Sequence, residues 1–208
     1  MNKPIQTRIG ILGGTFNPVH LGHLILAQNA LEKYELSKVL FVPCAMPPHK
    51  KSAALVSATH RMAMLNAVIE TDPRFEVSDI ELARKGPSYS VDTVAQLHEM
   101  HAGAGLYFII GSDSLGELHM WKDIQKLLTM CTFVTFTRPG NGARAITPES
   151  LKMESPWPQR LLSNVSSLHM VDISSSEIRY RVAEGMSIRY LVPQAVETYI
   201  AENHLYGR

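Results

Sequence analysis

Short apolar runs alternate with segments whose apolar residues recur every three or four positions along most of the chain. The apolar runs predict six strands, at residues 8–12, 38–42, 75–82, 106–110, 132–136 and 168–172. The periodic segments predict helices at residues 22–34, 58–70, 91–101, 124–130, 175–184 and 193–206. Strands that alternate with helices favour parallel pairing through right-handed crossovers. The pattern therefore predicts an α/β fold, a doubly wound, Rossmann-like parallel sheet with helices on both faces and a small C-terminal helical part.

The length of the chain favours a single domain. A chain of 208 residues can bury one sizeable core, so we expect one domain over residues 1–208, with C-terminal helices at about 175–208 packed on that core. Residues 139–158 hold four prolines and two glycines without sustained periodicity, which predicts an irregular excursion on the surface.

Composition and charge narrow the class of protein. With 45% hydrophobic and 19% charged residues, the chain is expected to fold. The chain has 20 Lys and Arg against 19 Asp and Glu, which argues against a partner recognised by bulk charge. We therefore expect it to bind neither nucleic acid nor a membrane surface. The apolar runs are only strand-length and the N-terminus is polar, which predicts no membrane span and no signal peptide. Cys44 and Cys131 are far apart, as expected of structural thiols in a cytoplasmic protein.

The segment after the first predicted strand is suited to binding an anion. Open parallel sheets bind ligands at the carboxyl ends of their strands. Here Gly13 and Gly14 allow the backbone to approach a phosphate, and the following helix presents the positive end of its dipole. His20 and His23 lie three residues apart, on one face of the first helical turn, where each ring can donate an N–H to phosphate oxygens.

Two other interpretations of the histidine pair remain open at this stage. A zinc site would need further ligands, and none stands nearby in the sequence. The spacing can also arise by chance, since His98 and His101 repeat it inside a predicted helix that has no glycine loop. The glycine loop and the strand end, rather than the spacing, therefore favour the anion site.

A second anion site is predicted after the last strand. Ser174 and Glu177 form a capping-box pattern, which by itself only starts a helix. Arg179, however, opposes the dipole of that helix by about 0.3–1 kcal/mol. An anion bound between Arg179 and the exposed N–H groups would reverse the sign of this contribution.

Three further segments carry candidate chemistry. A basic cluster at residues 47–51 follows the second strand and either binds a phosphate or forms a solvated loop. A turn and helix start at residues 85–93 offer a further anion site. Gly111 and Asp113 follow a strand, and Trp121 either stacks on a cationic ring or belongs to the core.

These motifs together resemble a known family. The segment Gly-Gly-Thr-Phe-Asn-Pro-Val-His-Leu-Gly-His at 13–23 is similar to the signature of the nucleotidylyltransferase superfamily, and residues 173–179 resemble its second signature, Ile-Ser-Ser-Thr-x-Ile-Arg. The elements Pro-Pro-His-Lys, Pro-Ser-Tyr-Ser and Gly-Ser-Asp with a following Trp, and the C-terminal tail, resemble the bacterial nicotinate-mononucleotide adenylyltransferases from residue 8 to residue 206. The departures from the family's residues are Asn17 for Asp, and Ser90, Ser112 and Ser176 for Thr, Ala and Thr.

The resemblance implies transfer of the adenylyl group of ATP to nicotinate mononucleotide, giving deamido-NAD and pyrophosphate, with Mg²⁺ carried by ATP and no metal-ligand set on the chain. It implies catalytic roles for His20, His23 and Arg179. The positions that it assigns to ATP are Gly13, Gly14, Thr15, Phe16, Gly111, Asp113, Arg138, Ile173, Ser175 and Ser176. Those that it assigns to nicotinate mononucleotide are Lys50, Ser88, Tyr89, Ser90 and Trp121.

Other functions stay open on the sequence alone. An adenylyltransferase for nicotinamide mononucleotide or phosphopantetheine, or an ATP-binding sensor without catalysis, would share the first signature. The oligomeric state is also open, a homo-oligomer included. In every case we expect a locally positive cleft in which Lys50, Arg138, Arg179 and the two histidines converge, despite the balanced total charge.

Overall fold

A computed structural model describes residues 7–45, 55–137, 146–167, 169 and 171–207. Its sheet contains the strands β1 Arg8–Gly14, β2 Lys38–Pro43, β3 Phe75–Val77, β4 Gly105–Gly111, β5 Thr132–Phe136 and β6 Val165–Ser166. The strand order is β3-β2-β1-β4-β5-β6, and every neighbouring pair is parallel. The predicted doubly wound parallel sheet is therefore confirmed.

The helices of the described residues lie between and after these strands. They are α1 Leu21–Lys33, α2 Ala58–Ile69, α3 Ser90–Met100, α4 Ser112–Leu115, α5 Ile124–Met130, α6 Trp157–Ser163, α7 Ser175–Ala183 and α8 Gln194–Glu202, with short 3₁₀ turns at Leu118–Met120 and Pro148–Leu151. Five predicted helices agree to within one residue at each end, whereas the last ends four residues earlier than predicted. In the part of the chain that the structure describes, every helix is too short or too polar to span a membrane.

Two apolar clusters cover the two faces of the sheet. Successive side chains of a strand point to opposite faces. Leu12 and Phe41 accordingly pack with α1, α2, α7 and α8, while Ile11 and Leu40 pack with α3, α5 and α6. Since α7 and α8 share a cluster with β1 and β2, we propose that the chain forms one domain with its C-terminal helices packed on the core.

The sequence prediction was wrong at both edges of the sheet. The predicted strand 75–82 ends at Val77, and the chain then turns over residues 79–83, where the Ala83 N–H donates to the Asp79 carbonyl. The predicted strand 168–172 is not one at its described residues 169, 171 and 172, and the pairing strand is Val165–Ser166 instead. An edge strand pairs on one side only, so its apolar pattern fixes its limits less firmly than that of a central strand.

The predicted excursion at 139–158 is also corrected in part. Its described residues include the 3₁₀ turn Pro148–Leu151 and the start of α6, and the buried side chain of Leu151 packs in the second cluster. Prolines at the first turns of these short helices explain why the sequence reads as irregular, because proline breaks a periodic pattern but is favourable at a helix start.

The carboxyl ends of β1 and β4 mark the position of a ligand site. β1 and β4 are neighbours in the middle of the sheet, and the strand order reverses between them. Open parallel sheets bind ligands at such a switch point.

One buried hydroxyl group in this sheet costs stability. Thr135 of β5 is 0% exposed, and its Oγ1 has no hydrogen-bond partner among the described residues. We expect Thr135→Val to raise the free energy of unfolding by about 1 kcal/mol, since the variant removes an unsatisfied polar group at nearly constant volume. Thermal denaturation should show a Tm higher by about 2–4 °C. Thr132→Val, at the exposed start of the same strand, should leave the Tm unchanged, and a lower Tm for Thr135→Val would contradict the expectation.

Candidate active site

The loop between β1 and α1 is fixed by the packing of Phe16. This residue has a φ of 48° and a buried ring that contacts the His23 ring edge-on, with centroids 5.0 Å apart. A Cβ at Gly14, the last residue of β1, would lie 3.1 Å from the same ring, so any larger residue there would require the Phe16 ring to shift. Because the Phe16 side chain is buried, only its backbone can contact a ligand in the cleft. The phenylalanine therefore positions His23.

His20 and His23 form a stacked pair at the start of α1. Their ring centroids are 3.7 Å apart, and the His20 N–H donates to Nδ1 of His23 at 3.2 Å. This bond leaves Nε2 of a neutral His23 ring as its hydrogen-bond donor. A Cβ at Gly22 would lie 3.0 Å from Nδ1 of His20, so the glycine between the histidines makes room for the buried His20 ring.

The start of α7 is hydrogen-bonded to the same loop. Ser174 caps the helix by accepting the Glu177 N–H at 3.1 Å, as its capping-box pattern predicts. The Ser175 hydroxyl donates to the Pro18 carbonyl at 2.9 Å, and the Arg179 guanidinium donates to the Asn17 carbonyl at 2.8 Å. A second N–H of Arg179 donates to the Ser176 hydroxyl at 3.2 Å. The two segments singled out in the sequence therefore meet in the structure.

A cleft of about 240 Å³ opens at the carboxyl ends of β1, β2 and β4. It collects predicted site residues from five separate segments: Gly13, Gly14, His23, Ser88, Ser90, Gly111, Asp113 and Trp121. A smaller cavity of about 30 Å³ adjoins it and is lined by His20, Gly22, Gly111 and Ile173. Gly111 borders both cavities, and the stacked histidines stand between them, one lining each.

The far wall of the cleft is held by aromatic packing and by one hydroxyl group. Trp121 packs edge-on against Phe108 and Phe133, at 5.8 and 6.1 Å between centroids, which fixes the indole where it lines the cleft. The Ser88 hydroxyl accepts the Ala45 N–H at 3.0 Å and so ties this wall to the end of β2. The Tyr89 ring is not part of the cleft lining and stacks instead under the Lys122 ammonium group, 4.4 Å from the ring centroid.

Some predicted positions are not brought to the cleft by any described contact. Lys50 and Arg138 lie outside the described residues, as does the basic cluster at 47–51. The Thr15 hydroxyl faces the Cys44 thiol at 3.6 Å rather than lining the cleft. Of the positive groups that were expected to converge, the structure describes the two histidines and Arg179. His23 lines the cleft and His20 the smaller cavity, whereas Arg179 lines neither and contacts the loop through the Asn17 carbonyl.

The structure adds residues that the sequence analysis missed. Glu81 and Thr93 line the cleft, and the Thr93 hydroxyl donates to the Glu81 carboxylate at 2.7 Å. Arg61 of α2 is buried behind the loop and donates to the Thr15 and Cys44 carbonyls. The sequence held one signal for it, because Arg61 stands on the apolar face of its helix, three and four residues before the buried Met64 and Leu65.

Neither cysteine has the properties of a nucleophile or a metal ligand. Burial raises the pKa of the Cys131 thiol to about 12 and also raises the pKa of the Cys44 thiol, so both stay protonated at neutral pH. Within the described residues, no three His, Cys, Asp or Glu side chains are grouped as a metal site requires.

Comparison with known proteins identifies one family model, several relatives and a solved structure that are similar to this chain. The cytidylyltransferase-like family model matches residues 11–181. Relatives from Desulfitobacterium hafniense and Shouchella clausii, each described as a probable nicotinate-nucleotide adenylyltransferase, are 42% and 44% identical over 208 and 200 residues. The alignments cover 99% and 96% of this chain and 98% and 97% of those proteins. The solved Plasmodium falciparum nicotinic acid mononucleotide adenylyltransferase complexed with NaAD has the same fold, with a TM-score of 0.78 at 20% identity over 97% of this chain and 98% of that one.

Tyr206 connects the C-terminus of the described chain to the loop. Its hydroxyl donates to the Oδ1 of buried Asn17 at 2.8 Å, and burial raises the pKa of the phenol, so the donor keeps its proton at neutral pH. We expect Tyr206→Phe to lower the free energy of unfolding by about 1 kcal/mol, the net contribution of one such bond. Urea denaturation measures the change. Tyr190→Phe, at a side chain that is 82% exposed, should match the parent protein, and equal stability of the two variants would refute the role of the bond.

Proposed function

The chain belongs to the cytidylyltransferase-like family and, within it, to the nicotinate-nucleotide adenylyltransferases, and we propose from this that it transfers the adenylyl group of ATP to nicotinate mononucleotide. The products are deamido-NAD and pyrophosphate. The observation that carries the proposal is the position of the stacked histidines, which stand between the smaller cavity and the larger cleft. A site of this form can hold two ligands with their phosphates meeting at the histidine pair.

We assign the ATP side to the first loop, the start of α7 and the smaller cavity. Gly13 and Gly14 let the backbone approach the phosphates, and the N-terminus of α1 adds the positive end of its dipole. Ile173 and Gly111 line the smaller cavity, which marks the side of the histidine pair to which we assign the nucleotide, and Asp113 in the cleft can accept hydrogen bonds from ribose hydroxyl groups. Thr15, Phe16 and Arg138 remain part of this assignment.

We assign the acceptor side to the wall formed by residues 88–90 and Trp121. Ser88 and Ser90 offer hydroxyl groups to the carboxylate of nicotinate at the start of α3, where the helix dipole favours an anion. The fixed indole of Trp121 can stack on the cationic pyridinium ring, a contact worth about 0.5–2 kcal/mol. Tyr89 and Lys50 belong to the same assignment, Lys50 toward the mononucleotide phosphate.

The reaction is an in-line displacement at the α-phosphorus of ATP. The 5′-phosphate of nicotinate mononucleotide is already ionised, so it attacks without a general base. As its oxygen bonds to the α-phosphorus, the bond from that phosphorus to the bridging β-phosphate oxygen breaks, and pyrophosphate leaves. No covalent enzyme intermediate forms. Catalysis is then a matter of positioning and charge stabilisation, which we assign to His20, His23 and Arg179.

We propose that a divalent cation reaches the site with the nucleotide. Mg²⁺ usually keeps several waters and binds substrate phosphates rather than a set of protein ligands, so the phosphates of ATP would hold the ion here. Bound in that way, Mg²⁺ would offset the charge of the phosphate oxygens.

One assay separates the proposed reaction from its rivals. Purified protein with ATP and Mg²⁺ is offered nicotinate mononucleotide, nicotinamide mononucleotide or phosphopantetheine, and pyrophosphate release is measured. We expect release with nicotinate mononucleotide and a lower kcat/KM with the amide, which lacks the carboxylate that the start of α3 favours. A preference for the amide or for phosphopantetheine would overturn the assigned acceptor. If none of the three acceptors led to pyrophosphate release, the chain would instead be an ATP-binding sensor without catalysis.

His23 is assigned a hydrogen bond that forms in the transition state. We expect His23→Ala to keep the fold, checked by circular dichroism, and to lower kcat by about 10²–10³, the cost of losing one such donor. His98→Ala provides the control, because His98 has the same spacing to a second histidine but is exposed near the end of α3. A normal kcat for His23→Ala would exclude this role.

A further inference from the structure

Arg61 is a buried charge that the assigned mechanism does not use. It is only 1% exposed, in the first turns of α2, where its neighbours on the helix face are apolar. Burying a charge is costly unless a partner compensates it. The start of a helix is a further unfavourable place for a cation, because the dipole there is positive. Both the burial of the Arg61 charge and its position near the start of α2 are therefore unfavourable.

The partners of Arg61 among the described residues are neutral. One terminal nitrogen donates to the Thr15 carbonyl at 2.9 Å and to the Cys44 carbonyl at 2.8 Å, and Nε donates to the Val56 carbonyl at 3.4 Å. In the described part of the chain, no carboxylate lies within 4.0 Å of its guanidinium group. Carbonyl dipoles offset part of the burial cost but leave the net positive charge uncompensated.

The two carbonyls that Arg61 holds belong to the two sides of the site. Thr15 lies in the loop between β1 and α1, which we call the phosphate loop, and Cys44 follows β2. In a trans peptide, the C=O and the next N–H point in opposite directions. The Cys44 peptide shows the consequence, because the Ala45 N–H points away from Arg61 to the Ser88 hydroxyl in the acceptor wall. By the same geometry the Phe16 N–H is directed away from the buried guanidinium group.

Arg179 holds the loop in a similar way from the other side. It is the fifth residue of α7, and its side chain donates to the Asn17 carbonyl, two residues after Thr15. Among the described residues it too forms no ion pair with a carboxylate. The side chains of two arginines on α2 and α7 thus place positive charge beside one short loop, and the ligands assigned to that loop carry several negative charges.

We propose that Arg61 is a positioning residue for adenylyl transfer, whose buried charge is balanced by the phosphates of the bound substrates. Through the Thr15 and Cys44 peptides it holds the phosphate loop and the acceptor wall in a fixed relation. The inference rests on the proposed function for the identity of the substrates. A positioning charge of this kind strengthens binding in proportion to the ligand's own charge, which a merely structural side chain does not do.

The test measures binding of adenosine, AMP, ADP and ATP by calorimetry, without any acceptor. In Arg61→Met we expect the Kd of ATP to rise about tenfold and that of adenosine by less than about threefold, with AMP and ADP between them, since the lost attraction scales with ligand charge. Arg61→Lys should keep the ratio of ATP to adenosine affinity within about threefold of the parent, because it keeps the charge. Arg74→Met, which removes an exposed arginine paired with Asp72, is the matched control and should leave all four affinities unchanged.

Each outcome decides the role of Arg61. Equal weakening of all four ligands in Arg61→Met would mean that the side chain only supports the loop, and would overturn the proposal. If Arg61→Met does not fold, Arg61→Lys provides the test. A tenfold fall in the ratio of ATP to adenosine affinity for Arg61→Lys would also overturn the proposal. These measurements need no turnover, so they remain informative if the protein fails to make deamido-NAD. Such a failure would instead count against the proposed function.

Discussion

The backbone carbonyls of the loop after β1 are the groups on which the rest of the site depends. Residues 15–19 lie between β1 and His20, the cap residue of α1, and belong to neither hydrogen-bond pattern. Buried carbonyl groups must still find donors. Those of Thr15, Asn17 and Pro18 find them in the side chains of Arg61, Arg179 and Ser175, on α2 and α7. The loop is thus held by elements on two sides, and the histidine pair that follows it takes its position from them.

This arrangement also explains how a chain with almost no net charge can bind anions. The charge of +1 describes the whole molecule, whereas the site depends on where a few positive groups are placed. The guanidinium groups of Arg61 and Arg179 lie beside one loop, without a carboxylate partner among the described residues. Several other charges pair locally, such as Lys38 with Glu76. The proposed site therefore depends on the local placement of positive groups beside this loop rather than on an overall charge excess.

Sequence pattern predicted the centre of the fold better than its edges. The central strands β1, β2, β4 and β5 are buried on both faces, so their apolar runs are continuous and their limits clear. The edge strands β3 and β6 are only three and two residues long, because each has one partner and needs little apolar sequence. The helix α6 was missed because prolines interrupt its pattern at the start.

The sequence by itself predicted the parallel fold, the glycine loop after β1, the start of α7 and eight of the residues that line the cleft, because these depend on short segments whose spacing is visible along the chain. Only the tertiary structure showed what holds them. Arg61 reaches back 46 residues to Thr15, and Tyr206 reaches back 189 residues to Asn17. Local periodicity carries no record of such contacts. They form because the fold brings the starts of α2 and α7 and the end of the chain next to the loop after β1. The carbonyl groups of that loop need hydrogen-bond donors, and these side chains supply them.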